Sequence, residues 1–302
     1  MMEPSELRSR LTGVIAFPVT PFNDDLSLNV EGLRRNIAEM VQYPLAAIVV
    51  GGGTGEIYSL SMEEHCKVVE TVVQEVGGKV PVIAGVGFGV QIAVELAKQS
   101  SDVGADGILC LPPYYPSAPF EGMLKYYQAI GDSTSLALII YNRDWAGFSA
   151  GEVNQLADAI PTLTAWKEGQ ADVRRYQMIM ERVGDRLHWI GGAGDDMVRP
   201  YYALGIRVYT SSIASIAPRL SLQLHERASM LDNASLERLM SNYVLPLYGL
   251  RARRKGYEVS VMKTAMEVLG KPAGPVRPPL PDVRPAEHKE ISILMERYKP
   301  VL

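Results

Sequence analysis

The chain has 302 residues, 47% of them hydrophobic and 21% charged, with a formal net charge of -4 at pH 7. That composition supports a large buried core and excludes an extensively disordered chain. The mild acidic balance, with no long basic run, argues against nucleic acid or an anionic membrane as partner.

Residues 1–11 are polar and lack the apolar core of a secretory signal. Short apolar runs then recur at 14–19, 46–50, 80–85, 107–111, 136–141, 163–166, 187–190 and 208–211. Each is continuously apolar rather than alternating, as expected for strands covered on both faces. Helix-period patterns lie between them: Phe120, Met123, Leu124, Tyr127 and Ile130 form one, and Val173, Tyr176, Met180 and Val183 another. Ser61-Met62-Glu63-Glu64 and Ser149-Ala150-Gly151-Glu152 read as capping boxes opening helices. Eight strands alternating with helices predict a parallel α/β protein, and the count favours a closed barrel. After Pro218 the pattern is helical to about residue 269, interrupted at Pro246. A Pro-rich stretch (272–281) and a short polar helix follow. We therefore expect a barrel over 1–218 and a helical extension over 219–302 packed on it as one functional unit.

No stretch is long and apolar enough to span a membrane. Cys66 and Cys110 lack metal-type spacing and fit a reducing compartment, so a cytoplasmic location is expected. His65, His188, His225 and His288 are scattered, which predicts no metal site. Arg251 opens the densest basic cluster, running to Lys255, and its default reading is a solvated helix face.

In such a barrel the chemistry gathers where strands end and loops begin. Lys167 follows the run 163–166 in Ala165-Trp166-Lys167-Glu168-Gly169. A buried ammonium there pairs with an acid or loses its proton, and an unprotonated amine attacks a ketone. Gly51-Gly52-Gly53-Thr54-Gly55-Glu56 is either a nest of N–H groups for a carboxylate or a plain tight turn. Gly85-Val86-Gly87-Phe88-Gly89 departs from the dinucleotide fingerprint and marks a close backbone approach instead. Asp195 or Asp196 is expected to cap the next helix. Tyr141-Asn142-Arg143 ends the strand beside that of Lys167. It reads either as a proton shuttle with a carboxylate-gripping arginine or as a core tyrosine with a surface arginine.

Gly-Thr-Gly-Glu (53–56), Pro-Tyr-Tyr (113–115), Tyr-Asn (141–142) and Lys-Glu-Gly (167–169) occur in that order and at these separations. Together they resemble the dihydrodipicolinate synthase and N-acetylneuraminate lyase superfamily over residues 13–280. The resemblance implies a (β/α)8 TIM barrel with additional C-terminal helices, a Schiff-base lysine at Lys167 and a proton-shuttling Tyr141. It also implies a homotetramer in which Tyr115 reaches a neighbouring subunit's site.

Within the superfamily, Gly-Gly-Thr-Gly-Glu (52–56), Tyr-Asn-Arg (141–143), Tyr-Thr-Ser-Ser (209–212) and Ala-Gly-Pro-Val-Arg-x-Pro-Leu (273–280) resemble the 5-dehydro-4-deoxyglucarate dehydratase branch. Lys-Glu-Gly replaces that branch's Lys-Asp-Gly, and Tyr115 and Gly-Asp-Asp stand nearer the synthase. The synthase and the sialic-acid lyase carry a relay hydroxyl where Gly53 stands, and the synthase has an arginine where Ala146 stands, so lysine biosynthesis loses ground. The expectation is a cofactor-free lyase acting on a small sugar-derived α-keto diacid, hydro-lyase rather than aldolase, giving 2-oxoglutarate semialdehyde. Gly53 and Thr54 would hold the carboxylate beside the ketone, and Asn142, Arg143 and Ser211 the distal groups. The alternatives are a pyruvate-releasing aldolase of 2-keto-3-deoxy acids, a synthase-like enzyme, or a regulatory barrel without turnover.

Overall fold

The structure is a computed structural model that describes residues 2–302. The apolar runs become eight parallel strands: β1 (Gly13–Ala16), β2 (Ala47–Val50), β3 (Val82–Phe88), β4 (Gly107–Pro113), β5 (Ala137–Asn142), β6 (Leu163–Glu168), β7 (His188–Gly191) and β8 (Val208–Ser211). They close into a barrel in chain order, with β8 pairing β1 from Gly13↔Val208 to Ala16↔Ser211. Helices cross between the strands on the outside, the (β/α)8 TIM architecture.

Strand ends depart from expectation for local reasons. β1 stops at Ala16, short of residue 19, because Pro18 has no N–H to offer a ladder. β6 continues to Glu168 because β5 pairs with it through Tyr141↔Lys167 and Asn142↔Glu168. Lys167 is therefore a strand residue and not the first residue of a turn. Gly85 marks the close approach foreseen there: a Cβ on it would lie 2.0 Å from the Gly51 carbonyl oxygen.

Both capping boxes form. Ser61 opens the helix Met62–Val76 and Ser149 the helix Ala150–Ala159, each serine accepting from the N–H of the glutamate three residues on. An N-terminal helix, Pro4–Arg10, has no counterpart among the sequence expectations; it lies against β5 and β6 and buries Leu7 completely, beside Gly107 of β4. Asp195 and Asp196 do not cap the following helix, Val198–Ala203. The Asp195 carboxylate turns inward instead.

The helix Pro218–Ser229 packs on β1 and β8 and completes the barrel, so a boundary at 218 would separate it from the strands it covers. Beyond it, Pro246 does not interrupt the helical path. It sits in the first turn of Leu245–Arg251, where its missing N–H is no loss, directly after a π-helical turn at Met240–Val244. The last helix, Pro285–Tyr298, is longer and more buried than a short polar tail, with Ile291, Leu294, Met295 and Tyr298 in the core. Barrel and extension share one continuous hydrophobic core.

A buried polar junction fastens the extension to the β2 loop. Lys263 Nζ lies 2.6 Å from the Glu56 carboxylate, and both side chains are essentially inaccessible to water. Glu56 also accepts the Arg277 N–H at 3.0 Å, while the Arg277 guanidinium grips Glu64 through two bonds of 2.6 and 2.7 Å. The final residue of the Gly-Thr-Gly-Glu turn is thus held by the C-terminal extension.

Candidate active site

A cavity of about 420 Å³ opens at the carboxyl end of the barrel, with Lys167 at its floor. Lys167 is 3% exposed. Its Nζ donates to the Gly192 carbonyl at 2.6 Å and lies 3.2 Å from the centre of the Tyr141 ring and 5.3 Å from that of Phe17. Among the described residues no carboxylate oxygen lies within ion-pairing distance of this nitrogen. Burial, reinforced by the Arg143 charge and opposed by Glu168, holds the amine well below its usual pKa. Of the two fates open to a buried lysine, the pocket favours loss of the proton. Gly192 makes room for the amine: a Cβ there would stand 2.4 Å from Lys167 Cγ and 2.9 Å from Nζ.

Tyr141 and Arg143 share the wall beside the lysine. Burial pushes the phenol's pKa up, against the pull of the Arg143 charge. The Arg143 guanidinium lies 5.1 Å from the Tyr141 ring centre and donates to Asp144 at 2.7 Å. It also reaches towards the β2 loop, since a Cβ on Gly53 would be 3.5 Å from Arg143 Nη1. The arginine therefore faces the space that a hydroxyl side chain at position 53 would enter. Gly53 and Thr54 line the same wall, and among the described residues neither backbone N–H has a hydrogen-bond acceptor. Two free N–H groups and a guanidinium give a corner suited to an anion, next to the buried amine.

The structure does not bring every candidate to the cavity. Side chains alternate along a strand. In β5, Tyr141 faces the cavity while Asn142 is buried on the outer side, where its side-chain oxygen accepts the Phe148 N–H at 3.4 Å. In β8, Thr210 faces the cavity and Ser211 does not. The Ser211 hydroxyl is committed to Asp195 and to Ser221, the latter at 2.8 Å. Ser212, just beyond β8, returns to the lining. Tyr115 is 64% exposed on the β4 loop, outside the cavity lining.

The extension contributes lining that sequence reasoning missed. Arg251 is no solvated helix residue: its Nη1 donates to Ser212 Oγ at 2.9 Å, and its guanidinium stacks 4.4 Å from the Tyr248 ring centre. Tyr248 in turn donates to Asp195 at 3.0 Å and accepts the Asp195 N–H at 2.8 Å. Burial raises the Asp195 carboxyl to about 6, against the bonds and the Arg251 charge that favour its ionised form. No local signal marks it: Arg251 ends a helix that carries no other charge and opens the basic cluster that runs to Lys255. A larger groove of about 710 Å³ lies along residues 22–25 and 270–274, remote from Lys167, and lacks a reactive amine in a dry environment.

The profile of the Dihydrodipicolinate synthetase family matches residues 10–297. A protein of Saccharopolyspora erythraea named "Probable 5-dehydro-4-deoxyglucarate dehydratase" is 39% identical over 287 residues, covering 94% of this chain and 93% of its own length. One of the same name from Rhizobium meliloti is 38% identical over 298 residues, covering 98% and 99%. Among solved structures, dihydrodipicolinate synthase from Oceanobacillus iheyensis superposes with a TM-score of 0.92 at 28% identity, covering 99% of this chain and all of that one. The Aquifex aeolicus dihydrodipicolinate synthase gives 0.88 at 28% identity, covering 96% and 99%. The chain belongs to the dihydrodipicolinate synthetase family.

Proposed function

We propose that this chain is a lysine Schiff-base lyase that dehydrates and decarboxylates 5-dehydro-4-deoxyglucarate. The observation that carries the reading is the amine of Lys167: dry, deprived of an acidic partner and lying against the Tyr141 ring. The relatives' name supplies the substrate.

The carboxylate next to the ketone docks on the Gly53 and Thr54 N–H groups with Arg143 beside it. Neutral Lys167 adds to the ketone carbon, and Tyr141 passes a proton to the departing oxygen as water leaves. The protonated imine draws electrons from the adjacent CH2, which loses a proton to give an enamine. The enamine expels the β-hydroxyl as water and leaves a conjugated iminium. Breaking the bond to the far carboxylate then releases CO2, with the electron pair flowing into that conjugated system. Reprotonation and hydrolysis free Lys167 and 2-oxoglutarate semialdehyde, so one water and one CO2 leave per substrate. The electron sink is the imine itself, and neither metal nor cofactor enters the scheme.

Borohydride reduction in the presence of 5-dehydro-4-deoxyglucarate tests the reading. A reduced adduct should appear on the Lys167 peptide and vanish in Lys167→Ala, with CO2 and the semialdehyde formed in the absence of reductant. Release of pyruvate and an aldehyde without CO2 would replace it by aldol cleavage, and an unlabelled Lys167 would remove the Schiff base altogether. The same reading includes a homotetramer that covers the exposed Tyr114, Tyr115 and Trp145 and brings Tyr115 to a neighbouring copy's cavity. A fully active monomer in sedimentation would dismiss that role.

A further inference from the structure

The cavity has a second cationic wall, away from the anion corner at Gly53 and Arg143. Arg251 ends the helix Leu245–Arg251 of the extension and projects between the β7 and β8 loops. Its neutralisation is incomplete. Among the described residues it forms no ion pair within 4.0 Å, and its one side-chain partner is the uncharged Ser212 hydroxyl. Its Nε is buried with no acceptor at all. Arg143, by contrast, is paired with Asp144, and Arg253, two residues on from Arg251, is paired with Glu290 through bonds of 2.6 and 2.7 Å.

The nearest acids do not supply the missing partner. Asp195 and Asp196 both feel the Arg251 charge, but neither reaches it within 4.0 Å, and the Asp195 carboxylate oxygens are turned to Ser211, Tyr248 and the Ile213 N–H. Glu258 lines the cavity with one oxygen on the Gly256 N–H at 2.8 Å. A planar guanidinium laid on an aromatic ring, with unpaired donors at a cavity wall, is built to receive a carboxylate through its fork.

We propose that Arg251, steadied by Ser212 and Tyr248, binds the carboxylate remote from the ketone and thereby selects dicarboxylic over monocarboxylic keto acids. The inference rests on the keto-acid reading above and assigns the far end of the substrate, expected for Arg143, Asn142 and Ser211: Asn142 and Ser211 do not reach the cavity, and Arg143 stands beside Gly53 at the other wall. It has a kinetic signature. The carboxylate that Arg251 holds leaves as neutral CO2, so the contact is made in the substrate complex and not strengthened at the transition state for decarboxylation. Such a contact governs KM and leaves kcat nearly untouched.

The test is steady-state kinetics of Arg251→Met and Arg251→Lys with 5-dehydro-4-deoxyglucarate, together with borohydride labelling of each by pyruvate, which has no second carboxylate. Loss of charge-assisted hydrogen bonds to a carboxylate should raise KM about 10- to 100-fold in Arg251→Met. Arg251→Lys should fall between it and the native chain. Pyruvate labelling of Lys167 in all three reports that the fold and the amine are intact. An unchanged KM, or a fall confined to kcat, would overturn the assignment. If Lys167 is labelled by neither compound in the native chain, the Schiff-base reading fails separately. Calorimetric binding of glucarate, a six-carbon diacid without the ketone, then decides on Arg251: an affinity unaffected by Arg251→Met rejects it, and a fall of tenfold or more upholds it.

Discussion

Replacing Lys263 by methionine removes one member of a buried ion pair and leaves Glu56 in a site that water does not reach. Breaking a buried pair from one side costs about 3–5 kcal/mol. An unfolding entropy of about 2.1 cal/mol/K per residue, over 302 residues, gives ~0.6 kcal/mol/K, so ~4 kcal/mol lowers the melting temperature by about 6 °C. Differential scanning calorimetry at pH 7 reads this directly. The double variant Lys263→Met with Glu56→Gln, which buries no net charge, should recover at least half of the loss. A Lys263→Met protein melting within about 1 °C of the native one, or a double variant no better than the single, would refute the idea that this pair holds the β2 loop to the extension.

Three further outcomes follow from the site. Arg143 adds to burial in lowering the Lys167 pKa, so Arg143→Gln should move the ascending limb of the pH–rate profile for imine trapping to higher pH; an unmoved limb would assign the depression to burial alone. Asp195 rises from 3.8 to about 6 on folding, so between those values the unfolded chain has lost a proton that the folded chain keeps. Stability should therefore decline across that window as pH rises, by about 3 kcal/mol in total, and stay level above it. Asp195→Asn should abolish that part of the slope in denaturant titrations at pH 4, 5, 6 and 7. Gly192→Ala would place a methyl carbon 2.9 Å from Nζ and 2.1 Å from the Glu168 carbonyl oxygen, so borohydride labelling of Lys167 should fall at least ~100-fold; retained labelling would show that the β7 loop yields freely.

The barrel was legible because parallel strands covered on both faces leave uninterrupted apolar runs, and each of the eight runs overlaps a strand. Lys167 stood out for the opposite reason, as a charge at the carboxyl end of such an element. What escaped was direction. Asn142 and Ser211 lie next to cavity residues in sequence, but the period of two along β5 and β8 turns them to the other face. Applied from Tyr141 outward, that period would have set Asn142 aside. Arg251 escaped for a different reason: nothing local distinguishes a helix-end arginine in a basic cluster from a solvated one, and only packing of the extension over the β7 and β8 loops carries it inside. Lys263 and Glu56 are 207 positions apart (263 minus 56), a pairing that no spacing rule anticipates.

The small distance between position 53 and the Arg143 guanidinium bears on how specificity can be exchanged at this corner. At 3.5 Å from Nη1, a β-carbon on residue 53 just touches the arginine, and the extra methyl or hydroxyl of a threonine would push into it. Gly53 and Arg143 are therefore mutually permissive. A hydroxyl side chain at 53 and the guanidinium as placed here compete for one volume, so exchanges of specificity at this corner are best engineered as the matched couple.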